Sequence, residues 1–169
     1  RGRRVAPFRL LRRPALGWWL GFSAVFFLVV DIVGLARSAA PGPAGVWVRD
    51  HSNVADRLFV WGTGDRATGL YLDADRLPAS RYIGNYPLTG HLFGLNDHAR
   101  NTSARVAPDA WPNLMEDLHR RPPRFIIDAD QARPDHPWPI ARYPLLSGYV
   151  QRHYRLAHIA PDGFVYQRR

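Results

Sequence analysis

The sequence predicts an α/β protein: one N-terminal transmembrane helix, then a small, mainly parallel α/β domain that closes with an antiparallel hairpin. Three observations carry that expectation. An uncharged apolar run follows an arginine-rich start. Two short apolar runs, Arg57–Trp61 and Arg124–Asp128, bracket a segment with helical periodicity. The last sixteen residues alternate in polarity around Pro161-Asp162-Gly163.

The first element is the membrane span. Ala15 to Val30 reads ALGWWLGFSAVFFLVV, with no charge, and the apolar run resumes after Asp31 and stops at Arg37. Ala15–Ala36 is 22 residues, about 33 Å as a helix, enough for a hydrocarbon core of about 30 Å. Pro14 suits a first helical position. Trp18 and Trp19 fall where an interfacial aromatic belt belongs. A signal peptide is the competing interpretation, and Ala36, Ser38, Ala39 and Ala40 offer small residues for cleavage. Its apolar core would be shorter, about 7–15 residues.

Orientation follows from charge. The formal net charge is +9, and Arg1, Arg3, Arg4, Arg9, Arg12 and Arg13 supply six of it, leaving +3 on the rest. Arginines ahead of an apolar run mark the cytoplasmic side, so Ser38 onward is expected outside the cell membrane. The same position argues against a nucleic-acid partner, since no nucleic-acid-binding module accompanies the charge. Asp31 sits near the outer end of the span. It either reaches the interface or contacts a polar group between helices. Gly17 and Gly21 form a G-x-x-x-G pair compatible with packing on other helices. Membrane lipid and neighbouring helices are the partners this implies. The chain opens on Arg1, and it is expected to be the C-terminal part of a longer protein or a processed product.

Residues 1–14 thus read as a cytoplasmic flank, 15–37 as the span, 38–45 as a Pro/Gly/Ala linker and 46–169 as the outer domain. Val46–Ala55 is expected as a short helix. Arg57–Trp61, ended by Gly62 and Gly64, is a buried strand. Asp65–Leu72 is a helical turn, Pro78–Gly90 an ordered loop and Gly94–Pro108 an exposed polar stretch. Asp109 is placed as the N-cap of a helix whose stripe is Trp111, Leu114, Met115 and Leu118, stopped by Pro122-Pro123. Arg124–Asp128 is the second strand, Pro139–Gln151 a helix, and Tyr154–Ile159 with Phe164–Gln167 the hairpin.

The ordered runs DRLFVWG (56–62), LY (70–71), RLPASRY (76–82), PLTG (87–90), PRFIID (123–128), LSGY (146–149) and VYQRR (165–169) together resemble a known family. It is the C-terminal region of bacterial glycosyltransferases related to the dolichyl-phosphate-mannose–protein mannosyltransferases. The resemblance covers roughly residues 15–169. It implies a polytopic membrane enzyme that takes sugar from a polyprenyl phosphate, with this segment as its last helix and outer domain. In that family the catalytic carboxylate lies in an early external loop that this chain does not contain. No catalytic residue is therefore assigned here, and the chain alone is expected to be inactive.

Binding candidates come from the residues. Arg76 and Arg81, with Tyr82, sit in the RLPASRY segment, and Arg presents a planar fork suited to phosphate. A structural ion pair is the alternative. Asp128, with Asp130, lies just past the second strand, where it could bond sugar hydroxyls or cap the strand end. Gly62-Thr63-Gly64 lacks phosphate-loop spacing, and the chain has no Lys and no Cys. The seven His are scattered, so neither a metal nor a cofactor is expected. A single-pass membrane-anchored binding or scaffold module without catalysis is the second interpretation. Upstream spans and an external acidic loop would separate the two.

Overall fold

Two apolar tetrapeptides form the centre of the fold. Leu58–Trp61 (β1) and Phe125–Asp128 (β2) are buried at every position and pair in parallel, Phe59 opposite Ile126. The structure is a computed structural model that describes residues 41–91, 101–132 and 138–169. Its helices are α1 (Pro43–Asp50), α2 (Gly64–Ala74), α3 (Tyr86–Thr89), α4 (Ala110–Arg120) and α5 (Pro144–His153). Strands β3 (Tyr154–Ala160) and β4 (Gly163–Arg168) follow α5. No helix among the described residues is long and apolar enough to cross a membrane. The predicted span, with Trp18, Trp19 and Asp31, lies outside them.

The sheet order is β1-β2-β4-β3. Only β1–β2 is parallel, and β2–β4 and β4–β3 are antiparallel, so the expected mainly parallel sheet is corrected to a mixed one. The tight turn at Pro161-Asp162 makes β3 and β4 antiparallel, and β4, docked against β2, leaves only one parallel pair in the sheet. Along β3 the five residues between its ends are exposed or half-exposed, whereas Gly163 and Val165 of β4 are buried. Strand β4 takes the interior place beside β2, and β3, which leaves Leu156 and Ile159 exposed, is the edge. Gly163 permits the contact, because a Cβ there would lie 2.6 Å from Ile127 Cγ2.

Helices cover both sheet faces, which is why β1 and β2 carry no polar alternation. Leu58, Val60, Phe125, Ile127 and Val165 share one core with Ala44 and Val48 of α1 and Ala67, Leu70, Tyr71 and Ala74 of α2. Phe59, Trp61 and Ile126 point the other way, into Leu114 and Leu118 of α4 and Leu146, Tyr149 and Val150 of α5. The outer edge of β1 is also closed. Leu58 N–H donates to Leu77 O at 3.1 Å, Ala79 N–H donates to Leu58 O at 2.8 Å, and Val60 N–H donates to the Tyr71 hydroxyl at 2.9 Å.

Element ends follow local chemistry. Helix α1 begins at Pro43, earlier than the expected Val46, because Pro fits its first turn and two distant carboxylates complete it. Gly42 N–H donates to Asp73 Oδ2 at 2.7 Å and Ala44 N–H to Asp162 Oδ1 at 3.1 Å. Negative charge at a helix N-terminus is favoured by the helix dipole. Helix α2 runs three turns, not one, on the buried stripe Ala67, Leu70, Tyr71, Ala74. Asp109 precedes α4 as expected but in the left-handed region (φ 56), and its side chain makes no capping bond. Before α5 a 3₁₀ turn, Ile140–Arg142, replaces the first part of the expected helix. Tyr143 is extended, the conformation a following proline imposes. The hairpin turns through Pro161-Asp162, as the alternation predicted.

Candidate functional site

The loops leaving β1 and β2 meet at one end of the sheet, where the sequence placed Asp128 and Asp130. Both are buried. Asp128 Oδ1 accepts the backbone N–H groups of Asp130 (3.2 Å) and Gln131 (3.0 Å), and Oδ2 accepts that of Ile140 (2.8 Å). One carboxylate therefore fastens the β2 exit to the start of the 3₁₀ turn. Burial pushes the Asp128 carboxyl up to about 7, against the three N–H bonds, which favour its charged form. Asp130 accepts from Asn85 Nδ2 at 2.7 Å, and Asn85 N–H donates to Gly62 O at 2.9 Å. Asn85 Oδ1 is buried with no hydrogen-bond partner among the described residues. Gly62 lets the two exits approach, since a Cβ there would sit 3.0 Å from Ala129 Cβ.

The arginine candidates lie elsewhere. Arg76 is buried and joins the ends of α1 and α2. It donates to Ser52 Oγ (2.9 Å), Asp75 O (2.7 Å), Arg49 O (3.0 Å) and Ser52 O (2.7 Å). Arg81 presents its fork to Asp117, with Nε to Oδ2 at 2.9 Å and Nη2 to Oδ1 at 2.8 Å. Its backbone N–H also donates to Asp117 Oδ2 at 2.9 Å, and Ser80 Oγ lies 3.2 Å from the same oxygen. Arg120 reaches Asp117 from one turn on, at 3.1 Å. Tyr82 is half-buried against the α4–α5 core. Arg76, Arg81 and Asp128 are thus three separate structural clamps and do not converge on one pocket.

Asp117 had no assigned role in the sequence reading, although an acid between Leu114 and Leu118 is a signal for a buried partner. Hydrogen bonding to Arg81 holds its carboxyl down to about 2. A group depressed in the folded state contributes stability that is full above the ordinary carboxylate range and is lost as pH falls through the folded value. Acid unfolding of the full chain between pH 4 and 2 should therefore flatten in Asp117→Asn. Thermal midpoints taken across that window check this, and an unchanged acid limb would refute it.

A second missed feature is aromatic. Trp111, Tyr143, Pro144 and Leu145 line an apolar concavity of about 290 Å³. Trp111 and Tyr143 rings lie 5.3 Å apart, and each also packs on Trp61 at the end of β1, at 6.0 and 5.0 Å. Leu145 is exposed at its rim. Among the described residues no group of three or more His, Asp or Glu is placed to hold a metal. No protein-family profile, characterised protein or solved structure matches the chain.

Proposed function

We propose that this chain is the C-terminal segment of a polytopic glycosyltransferase that moves sugar from a polyprenyl phosphate to an acceptor outside the cytoplasm. On this reading residues 15–37 anchor it in the cell membrane beside the upstream helices of the same protein. The domain beyond them assists recognition or stability and supplies no catalytic group. The observation that carries the proposal is the ordered motif series from Asp56 to Arg169 behind an arginine-flanked apolar run.

The geometry of the acids supports the non-catalytic part. A general base needs an oxygen open to the acceptor proton. The oxygens of Asp117 face Arg81 and Arg120, and those of Asp128 face three backbone N–H groups. Recognition falls most naturally to the Trp111–Tyr143 concavity, whose aromatic faces suit a sugar ring or a prenyl chain. The same facts fit the second reading, a membrane-anchored binding module without catalysis. Several spans and an external acidic loop encoded upstream would decide for the enzyme.

The test is a transfer assay with a radiolabelled polyprenyl-phosphate sugar. The purified 169-residue chain should transfer nothing. The full-length parent carrying Trp111→Ala should lose about tenfold in kcat/KM, on the order of 1.4 kcal/mol, with its domain still folded. Transfer by the chain alone would overturn the assignment of roles.

A further inference from the structure

We propose that the arginine-lined cleft at the opposite end of the sheet from Asp128 is a binding site for a phosphate group, carried by a soluble anion or by a lipid headgroup. The proposal is independent of the glycosyltransferase reading. The cleft is open, has a volume of about 520 Å³ and is walled mainly by polar atoms. Arg57, Arg121, Arg124, Arg168 and Arg169 line it, with Asp56 as the single acid. The lining side chains sum to +4.

Strand register assembles these residues from three distant segments. Arg57 precedes β1, Arg124 precedes β2 and Arg168 ends β4. Arg124 N–H donates to Arg57 O at 3.0 Å, and Arg168 N–H donates to Arg124 O at 2.9 Å. Three adjacent strands thus each present an arginine at the same level, about 4.8 Å from strand to strand. Arg121, at the end of α4, and Arg169, after β4, also line the cleft.

The guanidinium groups are held but not saturated. Arg57 Nη1 donates to Pro78 O at 2.8 Å, and Arg169 Nε donates to Tyr154 O at 3.2 Å. Arg124 Nε lies 3.4 Å from Asp56 Oδ2, and its guanidinium stands 5.7 Å from the Phe125 ring centroid. Each contact fixes one edge of a group that has five N–H donors. Arg121 and Arg168 have no ion-pair partner among the described residues. The contrast with Arg76 and Arg81 is direct, since their donors are consumed by carbonyls and by Asp117. Clustering like charges around one cleft raises the energy of the empty state, and an anion with several acceptor oxygens relieves it. Guanidinium forks match phosphate oxygens in pairs, which ammonium groups do not. Among the described residues no aromatic side chain lines the cleft, and what its five arginines share is the donor pattern for phosphate oxygens.

The experiment uses the full chain in a neutral detergent at 0.15 M salt, where unspecific surface attraction is screened beyond about 8 Å. Inorganic pyrophosphate is titrated by calorimetry in one arm. In the other, the chain in phosphatidylcholine nanodiscs is compared with discs containing phosphatidylglycerol, by arginine side-chain NMR. Arg121→Ala with Arg168→Ala removes two exposed, unpaired groups, so folding should survive. The paired Arg→Lys variant keeps the charge and removes the forks. Arg152→Ala with Arg155→Ala, exposed residues outside the cleft, controls for net charge. We expect at least tenfold weaker binding in the cleft Ala variant, an intermediate loss in the Lys variant and less than twofold in the control. Cleft-dependent pyrophosphate binding identifies a soluble source, and cleft-dependent shifts only with phosphatidylglycerol identify a headgroup. If cleft and control variants weaken binding equally, or neither arm responds to the cleft variant, the proposal fails.

Discussion

Phe59→Ala should destabilise the full chain by about 3–5 kcal/mol, and Ile126→Ala by about 2–5 kcal/mol. The two side chains are almost fully buried, sit directly opposite in the β1–β2 ladder and face the core under α4 and α5. Truncation removes transfer free energy and leaves a hole that the flanking Trp61 and Leu114 are too constrained to fill. The effect should appear as a lower denaturant midpoint at unchanged slope. Because the residues touch across the ladder, the double variant should lose less than the sum of the two. A loss below about 1 kcal/mol in either single variant would mean that β1–β2 is not the core.

Asp128→Ala should cost about 3–5 kcal/mol, since a buried donor left without an acceptor costs about 1–3 kcal/mol. The substitution orphans the N–H groups of Asp130, Gln131 and Ile140, of which Gln131, exposed, recruits water most easily. Amide hydrogen exchange at Ile140 should accelerate along with the fall in thermal midpoint. The pH dependence has the opposite sign to that of Asp117. With its carboxyl raised from 3.8 to about 7 by burial, Asp128 holds a proton in the folded state that the unfolded chain has released. Its contribution is greatest below about pH 4, declines as pH rises to about 7 and is flat above. Asp128→Asn should remove that decline. Stability insensitive to Asp128 over pH 4–7 would show that the N–H bonds fully offset burial.

Much of the fold was legible because its centre obeys local rules. RLFVW and RFIID are short apolar runs bounded by Gly or Pro, and Leu114 and Leu118 fall one turn apart. The sheet order was less so, because β3 and β4 are similar in composition and only packing against β2, where Gly163 closes on Ile127, selects β4 for the interior. Helix α3 was hidden by its length of four residues, too short for any periodicity. The site candidates read as open charges because their partners are remote in sequence. Arg81 and Asp117 lie 36 residues apart, and Arg76 and Ser52 lie 24 apart. The arginine cleft was illegible for the same reason, since only strand register brings Arg57, Arg124 and Arg168 side by side.

The proposed role requires the folded domain and the arginine flank to lie on opposite sides of the cell membrane. Fusing alkaline phosphatase after Arg169 tests this directly, because the enzyme is active only outside the cytoplasm. We expect high phosphatase activity in bacterial cells and none from a cytoplasmic reporter, such as β-galactosidase, at the same junction. An active cytoplasmic reporter with a silent phosphatase would place the domain inside the cell and contradict the proposed function.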